Sequence, residues 1–229
     1  MKRTLISLVL AALPLRLRAC DLALILAVDV SGSVDPAEYH LQMKGLADAV
    51  RDPVISEALV TAQASVLLLQ WTGSGRQQVT VPWRQMTDAD AVMELATTLE
   101  HAPRSWRNFS TAIGEALEVA LAQFADAPDC LRRVVDVSGD GYSNEGIAPD
   151  MLRPALRAAG VTVNALAIEA SDPMLTMYFR NNVITGPGAF VVTALDYRDY
   201  PDKIRLKLLR ETAAQLSEHG IDAWDDKTE

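Results

Sequence analysis

A doubly wound α/β fold is what this sequence predicts: a mainly parallel sheet with one antiparallel edge strand and helices on both faces. Three observations carry it. Strand-like apolar runs alternate with helix-periodic segments along the chain. The run Leu22–Val28 is unbroken rather than alternating, as in a strand buried on both faces. An early hairpin signal, Gly73-Ser74-Gly75, supplies the antiparallel edge. Right-handed crossovers then set the strands ending at Asp29 and Asp140 side by side at the switch point, the edge where ligands bind.

The elements follow in order. After Leu22–Val28, Pro36 stands at a helix start, and Ala37–Val50 keeps helical spacing through Tyr39, Met43, Leu46 and Val50. Thr61–Trp71 reads as a strand and Gln77–Trp83 as its alternating edge partner. Asp88–Leu99 and Thr111–Phe124 read as helices, the second with Ile113, Leu117, Ala120, Leu121 and Phe124 on one stripe. A strand then ends at Asp140, followed by a Gly/Ser/Asn-rich loop to Gly146. Pro149–Ala159 is helical and stops at Gly160, Val161–Ile168 is a strand, and Pro173–Asn181 is a short helix. Ala189–Thr193 is the last strand, and Arg198–Glu218 closes as an amphipathic helix.

Directly after the first strand stands Asp29-x-Ser31-x-Ser33, one carboxylate and two hydroxyls in a turn with Gly32. Such grouped oxygens suit a hard cation that keeps positions open to water. A helix cap by Ser33 or Asp35 is the plainer alternative, but it leaves Asp29 and Ser31 unexplained. Two further segments reach the same edge: Asn108-Phe109-Ser110-Thr111 before a helix, and Ser138-Gly139-Asp140-Gly141 after a strand. Thr111 has a helix N-cap as its rival role, and Asp140-Gly141 a plain turn. Asp136 is a charge inside the strand that ends at Asp140 and requires a partner: Arg132, Arg133 or backbone donors, unless it supports the metal site. Trp71, Trp83 and Trp106 read as packing residues, with a binding rim as the alternative for Trp71 and Trp106.

These three segments together resemble the von Willebrand factor type A (VWA) domain and its metal-ion-dependent adhesion site. The family pattern is Asp-x-Ser-x-Ser, then a threonine followed at set offsets by a small and an apolar residue, matched here by Ala116 and Leu117, then an Asp-Gly after a third strand. The likeness runs from about Asp21 to Glu218. It implies a VWA/Rossmann-like sheet holding one divalent cation, magnesium first, with calcium or manganese as alternatives. The implied metal ligands are Asp29, Ser31, Ser33, Thr111 and Asp140, with Ser110 as the alternative to Thr111. The chain departs from the pattern at Phe109 and Ser110, where many members carry glycines, and in its Ser-Gly-Asp-Gly approach to Asp140. The Cys20 start, the run Val135–Gly141 and Gly186-Pro187-Gly188 further resemble a group of exported bacterial proteins that carry this domain alone.

Lys2 and Arg3, the short apolar core Leu5–Leu13 and small residues to Ala19 read as a secretory signal peptide, residues 1–19. The stretch is too short to span a bilayer and does not match a lipoprotein cleavage box well. The VWA-like domain is expected over residues 20–221, and residues 222–229 as an acidic, disordered tail. Removing residues 1–19 takes away Lys2, Arg3, Arg16 and Arg18 with no acidic residue, so the formal net charge goes from −9 to −13. Such a surface repels nucleic acid and anionic membrane. The two cysteines, Cys20 and Cys130, lie 9 and 10 residues before Asp29 and Asp140. On neighbouring parallel strands ~4.8 Å apart they are close enough for a disulfide, which an exported chain permits; two buried thiols are the alternative.

The expected function is an exported, metal-dependent protein-binding module that recognises an acidic side chain of a protein or peptide partner. Neutral hydroxyl ligands leave charge on the cation, so an incoming carboxylate gains Coulombic energy. The alternatives are a metal-free scaffold for docking in the periplasm, and a magnesium-dependent hydrolase. Against an enzyme, the chain has no phosphate-binding glycine loop, no nucleophile elbow and no placed general base. His40, His101 and His219 are scattered and do not form a zinc site.

Overall fold

The structure is a computed structural model and describes residues 20–170 and 172–218. The signal-peptide and tail assignments, residues 1–19 and 222–229, lie outside the described residues. Six strands form one sheet: β1 (Cys20–Asp29), β2 (Ser65–Trp71), β3 (Gln77–Gln85), β4 (Cys130–Gly139), β5 (Val161–Ile168) and β6 (Val191–Ala194). Their order is β3-β2-β1-β4-β5-β6, parallel throughout except for the β2–β3 hairpin. Strand order reverses at β1, which pairs with β2 on one side and β4 on the other. This is the doubly wound VWA/Rossmann-like arrangement.

The two faces of β1 belong to two apolar layers. Leu22, Leu24, Leu26 and Val28 face α1 (Pro36–Arg51), α2 (Pro53–Thr61), α3 (Ala89–Glu100) and α7 (Tyr200–Glu218). Ala23, Ile25 and Ala27 face α4 (Ile113–Gln123), α5 (Arg153–Ala158), α6 (Leu175–Tyr178) and the π-helical turn Phe179–Val183. A strand covered on both sides needs apolar residues at successive positions, and this explains the unbroken run.

Two predicted elements are corrected. The strand expected from Thr61 begins at Ser65, because Pro53–Thr61 is the helix α2, which the sequence reading missed. Asp52 caps it, accepting from the amides of Val54 and Ile55, and Pro53 holds its first position. The segment expected as one helix from Pro149 is a 3-10 turn, Pro149–Leu152, followed by α5. Among the described residues no helix is long and apolar enough to cross a membrane.

Cys20 and Cys130 stand opposite each other at the start of β1 and β4, their Cα atoms 4.5 Å apart, and form a disulfide. It joins positions 110 residues apart and so restricts a large part of the unfolded chain. Replacing both cysteines by serine should lower unfolding free energy by about 2–5 kcal/mol, measured by urea titration.

Asp136 meets a different cation from those expected. Lys207 of α7, with no exposed side-chain surface, pairs with Asp136 at 2.5 Å and with Glu211 at 2.7 Å. Asn164 of β5 donates to Glu211 at 2.8 Å. Burial pushes the Asp136 carboxyl up to about 7, with Lys207 opposing the rise and Glu211 adding to it. The cluster is structural: it fastens α7 to the sheet. Lys207→Met leaves two buried carboxylates without their cation, and a loss of about 3–5 kcal/mol in unfolding free energy is expected. The pH dependence has a definite sign. A carboxyl whose folded pKa is raised stabilises the fold below its unfolded pKa and loses that contribution as pH rises through the folded value. The stability of the parent relative to Asp136→Asn should therefore fall between about pH 4 and about pH 7, read from urea unfolding at several pH values.

Candidate metal site

The first turn is held in place from three sides. Val30 N–H donates to the Trp71 carbonyl at 2.9 Å, and Gly32 N–H to the Phe109 carbonyl at 2.8 Å. Arg104 donates to the carbonyls of Val30 and Ser31 at 3.0 and 2.7 Å. Gln42, fully buried on α1, donates to the Asp29 carbonyl at 3.0 Å and accepts from Ser138 at 3.5 Å, joining the ends of β1 and β4. Gly32 permits this close approach: a Cβ would lie 3.1 Å from the Phe109 oxygen, a tight contact.

Within this frame Asp29 is fully buried and takes the Ser31 N–H on Oδ1 at 2.7 Å. Its Oδ2 is buried without a hydrogen-bond partner, facing Gly139, where a Cβ would come within 3.1 Å. Ser31 and Ser33 hydroxyls are 3.2 Å apart, and Ser33 donates to Asp140 Oδ1 at 2.6 Å. Burial, and then the Asp140 carboxylate, push the Asp29 carboxyl up to about 7. Neither aspartate has an ion pair among the described residues.

The capping alternatives resolve cleanly. Asp35, not Ser33, caps α1 in a full capping box with Glu38. Helix α4 has Ala112 as its N-cap, so Thr111 does not cap it; the Ser143 hydroxyl accepts from Ile113 N–H at 3.2 Å instead. Thr111 is buried. Its N–H donates to Asn144 Oδ1 at 2.9 Å, and its Oγ1 lies 3.7 Å from where a Cβ on Gly141 would stand. Ser110 donates its hydroxyl to Glu145, so its oxygen is committed away from Asp29 and Asp140.

Three residues the sequence reading overlooked belong to this edge: Gln42, Arg104 and Tyr197. Gln42 had a faint signal, a polar side chain next to the apolar stripe of α1; Arg104 and Tyr197 had none. Tyr197 is buried with its hydroxyl unpartnered, and burial, then Asp140 and Asp29, push its pKa upward. Trp71 is wholly buried beneath Gly139 and is no rim residue.

Two carboxylates and the hydroxyls of Ser31 and Ser33 are thus linked at one edge, with Thr111 on the loop beside Gly141. Among the described residues, here included, no group of three or more His, Cys, Asp or Glu is placed to hold a metal; this site has two carboxylates and otherwise hydroxyls. An unpartnered buried carboxylate oxygen beside a second acid and neutral hydroxyls fits a hard divalent cation.

No curated protein matches the chain. Among solved structures, proximal thread matrix protein 1 from the mussel byssus superposes with a TM-score of 0.61 at 22% identity, covering 83% of this chain and 48% of that one. A second structure of that protein, with a zinc-occupied MIDAS motif, gives 0.60 at 18% identity, over 83% and 47%. A von Willebrand factor type A protein from Catenulispora acidiphila gives 0.58 at 17%, over 84% and 43%. The pilus adhesin SpaC from Lactobacillus rhamnosus GG gives 0.60 at 15%, over 87% and 31%. The chain thus spans about half the length of the byssus protein, and at these identities the likeness is one of fold. The family described as protein of unknown function (DUF1194) matches residues 19–216, and with its VWA-type fold the chain belongs to that family.

Proposed function

We infer that the protein is an exported protein-binding module that holds one divalent cation at the carboxyl end of β1 and β4 and recognises an acidic group of its partner through it. The observation that carries this reading is the unpartnered Asp29 Oδ2, buried beside Asp140 with hydroxyls around the pair. Two like charges side by side, Asp29 buried and Asp140 partly exposed beside it, are unfavourable unless a proton or a cation joins them. Asp29, Ser31, Ser33, Thr111 and Asp140 are the residues that would hold the ion, magnesium first and calcium or manganese otherwise. When bound, the ion supplies a positive point charge to which a carboxylate can add. The chain's own residues do the rest. Gln42 and Arg104 fix the backbone of the first turn, and Gly32 lets the second loop approach it. Adhesins and a MIDAS-bearing protein among the fold relatives support binding rather than turnover.

The test is thermal unfolding of residues 20–229 with added magnesium, calcium or manganese, beside Asp29→Ala. A ligand that binds only the folded state stabilises it, by about 2.7 kcal/mol at a hundred times its dissociation constant. A rise in Tm is expected in the parent and not in Asp29→Ala. No rise with any of the three ions would replace this reading with a metal-free docking scaffold. Magnesium-dependent turnover of phosphoesters, lost in Asp29→Ala, would replace it with a hydrolase.

A further inference from the structure

At the opposite end of the sheet lies a cavity of about 890 Å³, bounded by the first residues of β4 and β5, the loop before β6, and α7. Arg132 on its wall precedes Ser138 by six positions on β4, roughly 20 Å along a strand at ~3.3 Å per residue, so the cavity is separate from the metal site. Its volume falls in the range of small-molecule sites, about 300–1,000 Å³.

Its lining is unlike the rest of this acidic chain. Arg132, Arg133, Arg157 and Arg210 all border it. The single carboxylate on the lining, Glu211, already accepts from Lys207 at 2.7 Å and Asn164 at 2.8 Å. Arg133, Arg157 and Arg210 have no ion pair among the described residues. Two of the four are positioned by neutral contacts: Arg157 donates to Thr185 Oγ1 at 3.1 Å, and Arg210 lies 3.9 Å above the Phe190 ring. Arg132 is tied to α7 through the Glu211 carbonyl at 2.9 Å. Phe190 and Leu131 add apolar surface between the guanidinium groups. Three arginines without an ion pair among the described residues, around a partly apolar cavity whose one lining acid is already engaged, call for an anion. The apolar wall adds a requirement for hydrocarbon on that anion.

We propose that this cavity is a binding site for an amphipathic organic anion, a carboxylate carried on an aliphatic chain. The guanidinium groups hold the carboxylate, and the wall around Phe190 and Leu131 takes the hydrocarbon. The site stands independently of any metal at the other end of the sheet.

Dodecanoate below its micellar concentration is the probe, titrated calorimetrically into the protein. Acetate (head without chain) and dodecyltrimethylammonium (chain with opposite charge) are the comparisons. Saturable 1:1 binding of dodecanoate is expected, at least tenfold tighter than either. Arg157→Gln and Arg210→Gln alter exposed side chains, so their thermal unfolding should match the parent while dodecanoate affinity falls at least tenfold. Asp29→Ala should bind it as the parent does. Absence of saturable dodecanoate binding overturns the proposal. So does equal binding of the cationic probe, which would mark a merely apolar cavity. Unchanged affinity in both arginine variants, or loss of binding in Asp29→Ala, overturns it as well.

Discussion

The parallel pairing of β1 with β4 is the constraint on which the rest depends. One register, Cys20 opposite Cys130 and Val28 opposite Ser138, sets three devices at three heights. At the bottom it brings the two sulfurs together. Midway it places Asp136, opposite Leu26, on the face that α7 covers. At the top it brings Asp29 and Asp140 to one crevice, bridged through Ser33. Because side chains alternate with period two, a slip of one residue would turn Asp136 toward the apolar α4 layer and part the cysteines. The disulfide and the buried ion cluster both oppose such a slip, so the crevice is defined by bonds far from it.

Burial raises the carboxyl pKa of Asp29 and Asp136 alike, and what separates them is a cation from the protein. Asp136 has Lys207 within ion-pair distance, and a neighbouring acid shares that cation. Lys207 offsets part of the Asp136 desolvation, while Asp136 Oδ2, like that of Asp29, has no hydrogen-bond partner. Asp29 is as deeply buried, yet has hydrogen bonds but no paired cation among the described residues, and a repulsive carboxylate neighbour. A folded protein has no structural use for a carboxylate in that position. Asp29 is in this sense the unfinished part of the core, and the hydroxyls around it are of the kind a hard cation completes.

Much of this was legible in the sequence because the signals were of one physical kind. Continuous apolar runs mark doubly covered strands, and the Asp-x-Ser-x-Ser turn directly follows one. Nearly equal offsets of Cys20 and Cys130, 9 and 10 residues before Asp29 and Asp140, anticipated the disulfide because parallel register is a linear property of the chain. The failures were also of one kind. Lys207 and Glu211, four apart on a helix, carry no sign of burial in the sequence, and only the sheet beneath α7 buries them. The partner of Asp136 was therefore sought close by, at Arg132 and Arg133, whereas it arrives from about seventy residues away. Tyr197 and Arg104 reach the site from loops whose course no periodicity describes. Helix α2 is a different case: Asp52-Pro53 is a clear start signal, overlooked because the helix after it is only 9 residues long.

Charge is distributed with the same economy. A chain with an excess of acids over bases, 30 against 21, places four of its arginines around one cavity at the foot of the sheet and two aspartates in the crevice at its head. Long-range repulsion in an acidic chain favours keeping arginines near surface carboxylates, as Arg51 is with Glu100 and Arg205 with Asp52. Arg133, Arg157 and Arg210 forgo that arrangement. A cation without an ion pair is inexpensive while it stays hydrated, but Arg210 covers an aromatic ring and Arg157 is tethered to Thr185, so each has given up some freedom without a carboxylate in return. An anion in the proposed site would recover that cost, just as a cation would offset the burial of Asp29. The two ends of one sheet thus pose the same electrostatic problem with opposite signs.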